Sequence, residues 1–288
     1  MARPVRYAIT GANGHIGGRV ARRLAAAGAD LRLVVRDPGR APRLPGAEIT
    51  VASYADREAA IRALRGADVV FMVSAAESPV RRQEHRSFIE AAAEAGVRHL
   101  VYTSFVGASP EATFTLGRDH ADAEAAIGRS GLAFTVLRDN FYLDLLPFFA
   151  DEQGVIRGPA GGGRVAAVAR ADVADCAVAV LQHPTDHAGA FYQLSGPEAL
   201  TLDDLARRAS AALGRALRFQ DETLEQAYAS RARFGAEPYL LEAWVSTYLA
   251  IARGEVAEVT GDVPRLTGHP ARRLEEVLGG PVSGPDRA

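Results

Sequence analysis

Lysine is absent from this 288-residue chain, and all 33 of its basic residues are arginine. That excludes a Schiff-base lysine, a phosphate-loop lysine and a lysine general base. Arginine cannot stand in, because its guanidinium stays protonated and offers no neutral amine. Abundant Ala and Gly beside the Arg accord with GC-rich coding, which accounts for surface arginine without a chemical reason. Cysteine is nearly absent too. Cys176 alone permits no internal disulfide and points to a reducing, cytoplasmic compartment. The seven histidines and that cysteine show no metal-ligand spacing, so no metal is expected. The most apolar stretch, Phe141–Ala150, contains Asp144 and Pro147 and is too short to span a bilayer. The opening MARPVRYAIT holds no signal-type apolar core. A net charge of −2 gives no electrostatic pull toward nucleic acid or an anionic membrane.

What is present has the make-up of an ordinary globular protein, 48% apolar and 24% charged, with chain enough for one large or two small domains. The first half alternates strand and helix patterns. Strands are expected at 5–10, 31–35, 48–52, 67–73, 98–103 and 133–138. Helices are expected at 17–27, 57–64, 79–95 and 119–129. That alternation argues for an α/β fold, a doubly wound parallel sheet with helices on both faces, whose ligands sit at the carboxyl ends of the strands near the topological switch point. The second half is less regular. Thr201 is a plausible N-cap, with Asp203 and Asp204 in the first turn. An apolar helix over 239–252 carries the lone Trp244, a last helix covers 271–278, and the tail from Gly279 reads as frayed. The domain expectation is a dinucleotide-binding domain over 1–150, with 165–195 returning to it, and a mainly substrate-binding lobe over 151–288.

Thr10–Gly18 reads TGANGHIGG, with Gly11, Gly14 and Gly17 spaced G-x-x-G-x-x-G between an expected strand and an expected helix. Gly11 allows the tight turn, Gly14 lets backbone amides approach a pyrophosphate, and Gly17 lets helix and strand pack closely. Asn13, His15 and Ile16 belong to the same turn. Arg36 follows the second strand, where an NAD-type fingerprint has an acid; an Arg there suits a 2′-phosphate. Asp37 precedes Pro38 and is expected to turn away, and Arg40 is near enough to assist. NADP(H) is therefore the expected cofactor, with NAD(H) the alternative.

These motifs resemble the atypical short-chain dehydrogenase/reductases, and within them the NmrA-like group and its NAD(P)H:quinone oxidoreductase branch. The likeness rests on TGANGHIGG, VVRDP at 34–38, VYTS at 101–104, SGLAFTVLRDNFY at 130–142, GPAGGGRVAAVARADVADCA at 158–177 and GAFYQLSGPEALTLDDLA at 189–206. It implies a Rossmann-type domain, a small C-terminal α/β lobe and a cleft between them. The wider family uses Tyr-x-x-x-Lys after the fifth strand; those positions fall here on Leu116 and His120, so the pair is missing. The quinone-reducing branch also lacks it. Reducing an isolated ketone develops a basic alkoxide that needs a nearby acid, whereas hydride addition to a quinone gives a delocalised, weakly basic anion. Such an enzyme chiefly stacks its acceptor against the nicotinamide.

On this resemblance His120 is the candidate that holds the nicotinamide ribose or donates a proton, and Ser104 the candidate that polarises an acceptor oxygen. Ser74, Ala75 and Thr103 are expected along the cofactor, with Phe105 at the nicotinamide. Ser53 stands where the family often has an acid that holds the adenine amine. Asn140, Phe141 and Tyr142 follow the sixth strand and suit a flat acceptor; Trp244 and Tyr248, at i,i+4 spacing, would roof it or pack the lobe. The reading is an NADPH-dependent oxidoreductase acting on a quinone or similar conjugated small molecule. Two alternatives stand beside it: a dinucleotide-sensing regulator without turnover, and a natural-product tailoring enzyme reducing an alkene, imine or ether or performing a cyclisation. No nucleic acid or membrane partner is expected; the fold is compatible with a homodimer, which no isolated apolar helix face demands.

Overall fold

The computed structural model describes residues 5–279. The expectations for Met1–Pro4 and for the tail after Gly279 lie outside the described residues. In chain order the elements begin β1 (Arg6–Thr10), α1 (His15–Ala26), β2 (Asp30–Val35), β3 (Glu48–Val51), α2 (Arg57–Leu64), β4 (Val69–Met72) and α3 (Arg81–Glu94). They continue β5 (His99–Phe105), α4 (Thr115–Arg129), β6 (Ala133–Asp139), β7 (Val155–Gly158), β8 (Arg164–Val165), α5 (Arg170–Gln182) and β9 (Ala190–Leu194). Last come β10 (Leu200–Thr201), α6 (Leu202–Leu213), β11 (Arg218–Asp221), α7 (Leu224–Ala232), α8 (Pro238–Ala252), α9 (Asp262–Thr267) and α10 (Leu274–Gly279).

The described chain forms two compact units. The first holds the residues through Ala112 with Leu116–Asp139 and Ala171–Gln193; the second holds Thr113–Thr115, Asn140–Arg170 and the residues from Leu194 onward. The first unit is built on a seven-stranded parallel sheet of order β3-β2-β1-β4-β5-β6-β9. Its strands are the near-continuous apolar runs that sheets covered on both faces require: every residue of β4 and β5 is buried. Alternation sends Leu100 and Tyr102 of β5 to one face, where they pack with Leu64 of α2, Phe88 and Ile89 of α3 and Ile127 of α4. The order reverses between β1 and β4, and this switch point is where a doubly wound sheet opens a crevice.

Two helices begin earlier than their periodicity suggests. α1 starts at His15, because the glycine turn runs directly into it with Gly14 as its N-cap. α4 starts at Thr115, with the buried Gly117 in its first turn.

The second unit pairs short strands that are far apart in sequence: β7 with β11 in parallel, and β8 with β10 antiparallel. α6 is capped as expected, Thr201 Oγ1 accepting from Asp204 N at 3.0 Å. α7 opens with a reciprocal capping box between Thr223 and Gln226. Among the described residues, no helix is long and apolar enough to cross a membrane.

Candidate functional site

The glycine turn lies at the switch point. Gly11 has φ +62°, and a Cβ there would stand 3.0 Å from the Val73 side chain just past β4. A Cβ on Gly17 would stand 2.4 Å from the Gly11 carbonyl oxygen and 2.6 Å from that of Thr10, so only glycine lets α1 lie this close to the turn. The Gly14 cap makes no side-chain hydrogen bond and the first turn of α1 holds no acid. The amides there have no intrahelical acceptor and the helix dipole points its positive end outward, an arrangement that suits an anion. Ile16 is buried and packs inward, while His15 is half-buried.

Arg36 is exposed directly after β2. The Asp37 carboxylate accepts from Gly39 N at 2.9 Å and caps the short 3-10 turn Pro38–Arg40. Asn13 ties the two loops together, its Nδ2 donating to the Asp37 carbonyl at 3.2 Å. Its Oδ1 is buried with no partner among the described residues, an acceptor facing the phosphate turn that a ligand donor would satisfy.

Side chains grip the main chain after β4. Val73 N donates to Thr10 Oγ1 at 2.9 Å, and Tyr54 Oη donates to the Val73 carbonyl at 2.5 Å. Burial pushes the Tyr54 phenol upward, so it stays a donor. Ser74 N donates to Thr103 Oγ1 at 2.9 Å and Ala75 N donates to His85 Nε2 at 2.8 Å. Arg81 Nε donates to the Ala75 carbonyl at 2.9 Å. Thr103 thus holds the loop after β4 through Ser74. Ser53 is a turn residue, its Oγ accepting from Asp56 N.

His120 is buried, and both its ring nitrogens are engaged. Arg81 Nη2 lies 3.1 Å from Nε2, and Tyr102 Oη lies 2.9 Å from Nδ1. A guanidinium only donates, so Nε2 accepts and the ring proton sits on Nδ1, donated to Tyr102. Burial, then Arg81, then His85 hold His120 neutral, well below the usual histidine range. Phe105 stacks near it, ring centroids 6.3 Å apart. The expected proton donor is therefore already committed on both sides, because the interior it packs into supplies its partners. Ser104 is committed as well: its Oγ donates at 2.6 Å to Glu124, which Arg138 holds through two hydrogen bonds.

In the second unit, Asn140 also serves the fold rather than facing a ligand. Its Nδ2 donates to the Val256 carbonyl, its Oδ1 accepts from Phe141 N, and its own amide donates to the Leu194 carbonyl. Phe141 packs edge-on to Phe114 at 5.1 Å, and half-buried Tyr142 bridges to Val168. Tyr248 is core: a Cβ on Gly158 would fall 2.3 Å from its ring, and the Arg231 guanidinium lies over it at 4.9 Å. Trp244 is half-buried and meets the exposed Phe234 edge-on.

The family model described as NAD(P)H-binding matches residues 11–184, which include the glycine turn, Arg36 and the loop after β4. The chain belongs to that NAD(P)H-binding family. The motif likeness places it among the NmrA-like atypical short-chain dehydrogenase/reductases. It is 38% identical over 274 residues to the (4-alkanoyl-5-oxo-2,5-dihydrofuran-3-yl)methyl phosphate reductase of Streptomyces griseus, covering 93% of this chain and 95% of that protein. It is 31% identical over 276 residues to quinone oxidoreductase 2 of Escherichia coli, covering 93% and 96%. The crystal structure of an NADPH-dependent quinone oxidoreductase from Escherichia coli, complexed with NADPH, superposes with a TM-score of 0.86 at 29% identity, covering 94% of this chain and 98% of that one.

The residues present fit the dinucleotide this family binds. The close approach at Gly17 and the uncapped α1 terminus suit a pyrophosphate, the unpartnered Asn13 Oδ1 suits a ligand donor such as a hydroxyl, and Arg36 suits a 2′-phosphate. Sequence reasoning missed Tyr54, Arg81, His85 and Glu124. Arg81 and His85 did leave a signal: they stand at i,i+4 on α3, a charged and a titratable residue on the buried face of an amphipathic helix.

Proposed function

We propose that this protein is an NADPH-dependent oxidoreductase acting on quinones and similarly conjugated small molecules. The reading is carried by the state of the two side chains placed to act as acids. His120 gives its only proton to Tyr102 and its lone pair to Arg81, and Ser104 gives its proton to Glu124. With neither available, the acceptors best served are those whose hydride adduct is a delocalised, weakly basic anion that takes its proton from water. The names of the relatives accord with this class: a quinone is a conjugated acceptor, and so is the unsaturated ring of a 2,5-dihydrofuranone.

When bound, NADPH supplies a hydride from its nicotinamide. The protein's part is to hold it. The first-turn amides of α1 take the pyrophosphate, Arg36 with Arg40 takes the 2′-phosphate, and Ser74 and Ala75 line its path. Phe105 is the apolar surface proposed for the nicotinamide end of the cofactor. A cytoplasmic location suits this cofactor and a chain whose single cysteine, Cys176, is in the core.

The test is oxidation of NADPH and of NADH with a panel of quinones, an α,β-unsaturated lactone and an isolated ketone. Turnover is expected with the conjugated acceptors and not with the ketone. NADPH is expected to exceed NADH in kcat/KM by about tenfold or more, an advantage that Arg36→Ala removes, as expected for one charge-assisted phosphate contact. Turnover of the ketone alone, or of none of the panel, overturns the reading.

A further inference from the structure

The two peptides that flank Ala75 follow β4 at the switch point, and each is held by a side chain: the Ser74–Ala75 peptide through Ala75 N–H by His85, and the Ala75–Ala76 peptide through Ala75 C=O by Arg81. Both supports come from α3. Arg81 is in turn fixed from α4, through His120 Nε2 on its Nη2 and through Asp119, whose Oδ2 lies 3.5 Å from Nη1. His120 is fixed from β5 by Tyr102. Three elements, α3, α4 and β5, thus converge on one turn of main chain.

We propose that Arg81, His85 and His120 are positioning residues, which hold the Ser74–Ala75 segment in the orientation the dinucleotide needs and touch neither cofactor nor acceptor themselves. The proposal rests on the NAD(P)H-dependent reading above.

Arg81 is 4% exposed. A buried ionic group is poor value for stability alone, since apolar residues of similar volume often serve as well or better. What the guanidinium offers and an apolar side chain does not is a planar fork of donors that fixes the direction of a carbonyl. The two imidazoles extend the same logic. Each presents a lone pair at Nε2, one to the Ala75 amide and one to Arg81, and a protonated ring would lose that lone pair. His85 is held down to about 3 by burial and then by Arg81, with Asp122 opposing. Both rings are therefore acceptors at neutral pH. His85 Nδ1 has no partner among the described residues, so its anchoring of Ala75 is its one polar contact. The chain Tyr102–His120–Arg81–Ala75 also accounts for a histidine at 120: a residue there is needed that accepts from a cation and donates to a phenol at once.

The experiment uses the full chain with His85→Leu, His85→Gln and His120→Phe, and reads two quantities. One is amide hydrogen exchange at Ala75 without cofactor; the other is the NADPH dissociation constant by direct titration, with kcat at saturating NADPH alongside. In His85→Leu, Ala75 exchange is expected to quicken and NADPH binding to weaken, each by about tenfold, the scale of one buried hydrogen bond. His85→Gln puts an amide oxygen where Nε2 was and is expected to restore both. His120→Phe is expected to weaken NADPH binding while leaving kcat at saturation within about twofold, the split expected of a group outside the chemical step. Unchanged affinity in His85→Leu, or a fall of kcat at saturating NADPH in His120→Phe, overturns the proposal. A wild-type protein that binds no NADPH overturns the proposed function; variants that bind like a wild type that does bind overturn the positioning alone.

Discussion

The two ends of the central sheet are held by different chemistry. At the amino ends of the strands the ties converge on carboxylates, most of them as ion pairs. Asp68 accepts from the Arg6 amide and from Arg98 Nη2, both at 2.9 Å, while Asp30 takes Arg6 Nε at 2.9 Å and Glu48 takes Arg32 at 2.9 Å. At the carboxyl ends of β1, β4 and β5 most ties are neutral and run from side chain to main chain: Thr10, Tyr54, Thr103 and His85 each hold a peptide group of Val73–Ala75. Glu48 and Arg98 leave one partner of each of their pairs exposed to water, where a charged contact tolerates small displacements and contributes little. A hydroxyl or imidazole bonded to a buried amide fixes the peptide's direction, and breaking it leaves a polar group unsatisfied. One end keeps strands side by side; the other sets the angles of the backbone that meets a ligand.

Three changes probe this contrast. Gly17→Ala should have the largest effect, because the added Cβ meets backbone oxygens, which cannot swing aside. NADPH binding is expected to weaken by about a hundredfold or more, the size of a lost main-chain phosphate cradle, with helical circular dichroism retained. Near-native affinity would show that the turn has slack. Acidification comes next. His85 is depressed from 6.5 to about 3 and His120 is also depressed, so the unfolded chain binds protons that the fold refuses. Their contribution is whole above pH 6.5 and is lost as pH falls from there toward the folded values. Stability to urea should drop by up to about 1.4 kcal/mol per pH unit for each ring. The decline should begin above the carboxylate range and be shallower in His85→Leu; a flat profile from pH 6.5 to 5 counts against neutral rings. The smallest effect is expected at the amino end. Arg98→Ala removes one exposed partner of Asp68, which keeps the Arg6 amide. It should lower stability by less than about 1 kcal/mol, leaving NADPH affinity as it was. A loss of affinity there would erase the distinction between the ends.

Much of the first unit was legible in the sequence, since buried parallel strands and amphipathic helices repeat with fixed periods. α2 fell at 57–64 as read, and the glycine turn was legible because its residue types are dictated by backbone contact. The second unit was less so. β7 finds its partner in β11 some sixty residues on, a pairing that no local period announces. α7 was missed although Thr223 and Gln226 carry the spacing of a capping box. Within the site, the obstacle was polarity. Polar groups at strand ends point Asn140 and Ser104 toward a ligand, and the family resemblance points His120 there. Each faces inward, to a partner that only the folded chain supplies. Those partners, Val256, Glu124 and Arg81, lie 116, 20 and 39 residues away.

Trp244 is the sole indole in the chain, and it lies on α8 in the second unit, edge-on to Phe234. Its emission is therefore a single-site signal from that unit, while ellipticity is dominated by the helices of both. Following the two together through denaturant reads the cooperativity of the molecule directly: coincident curves mean one unfolding event, and separated curves mean two.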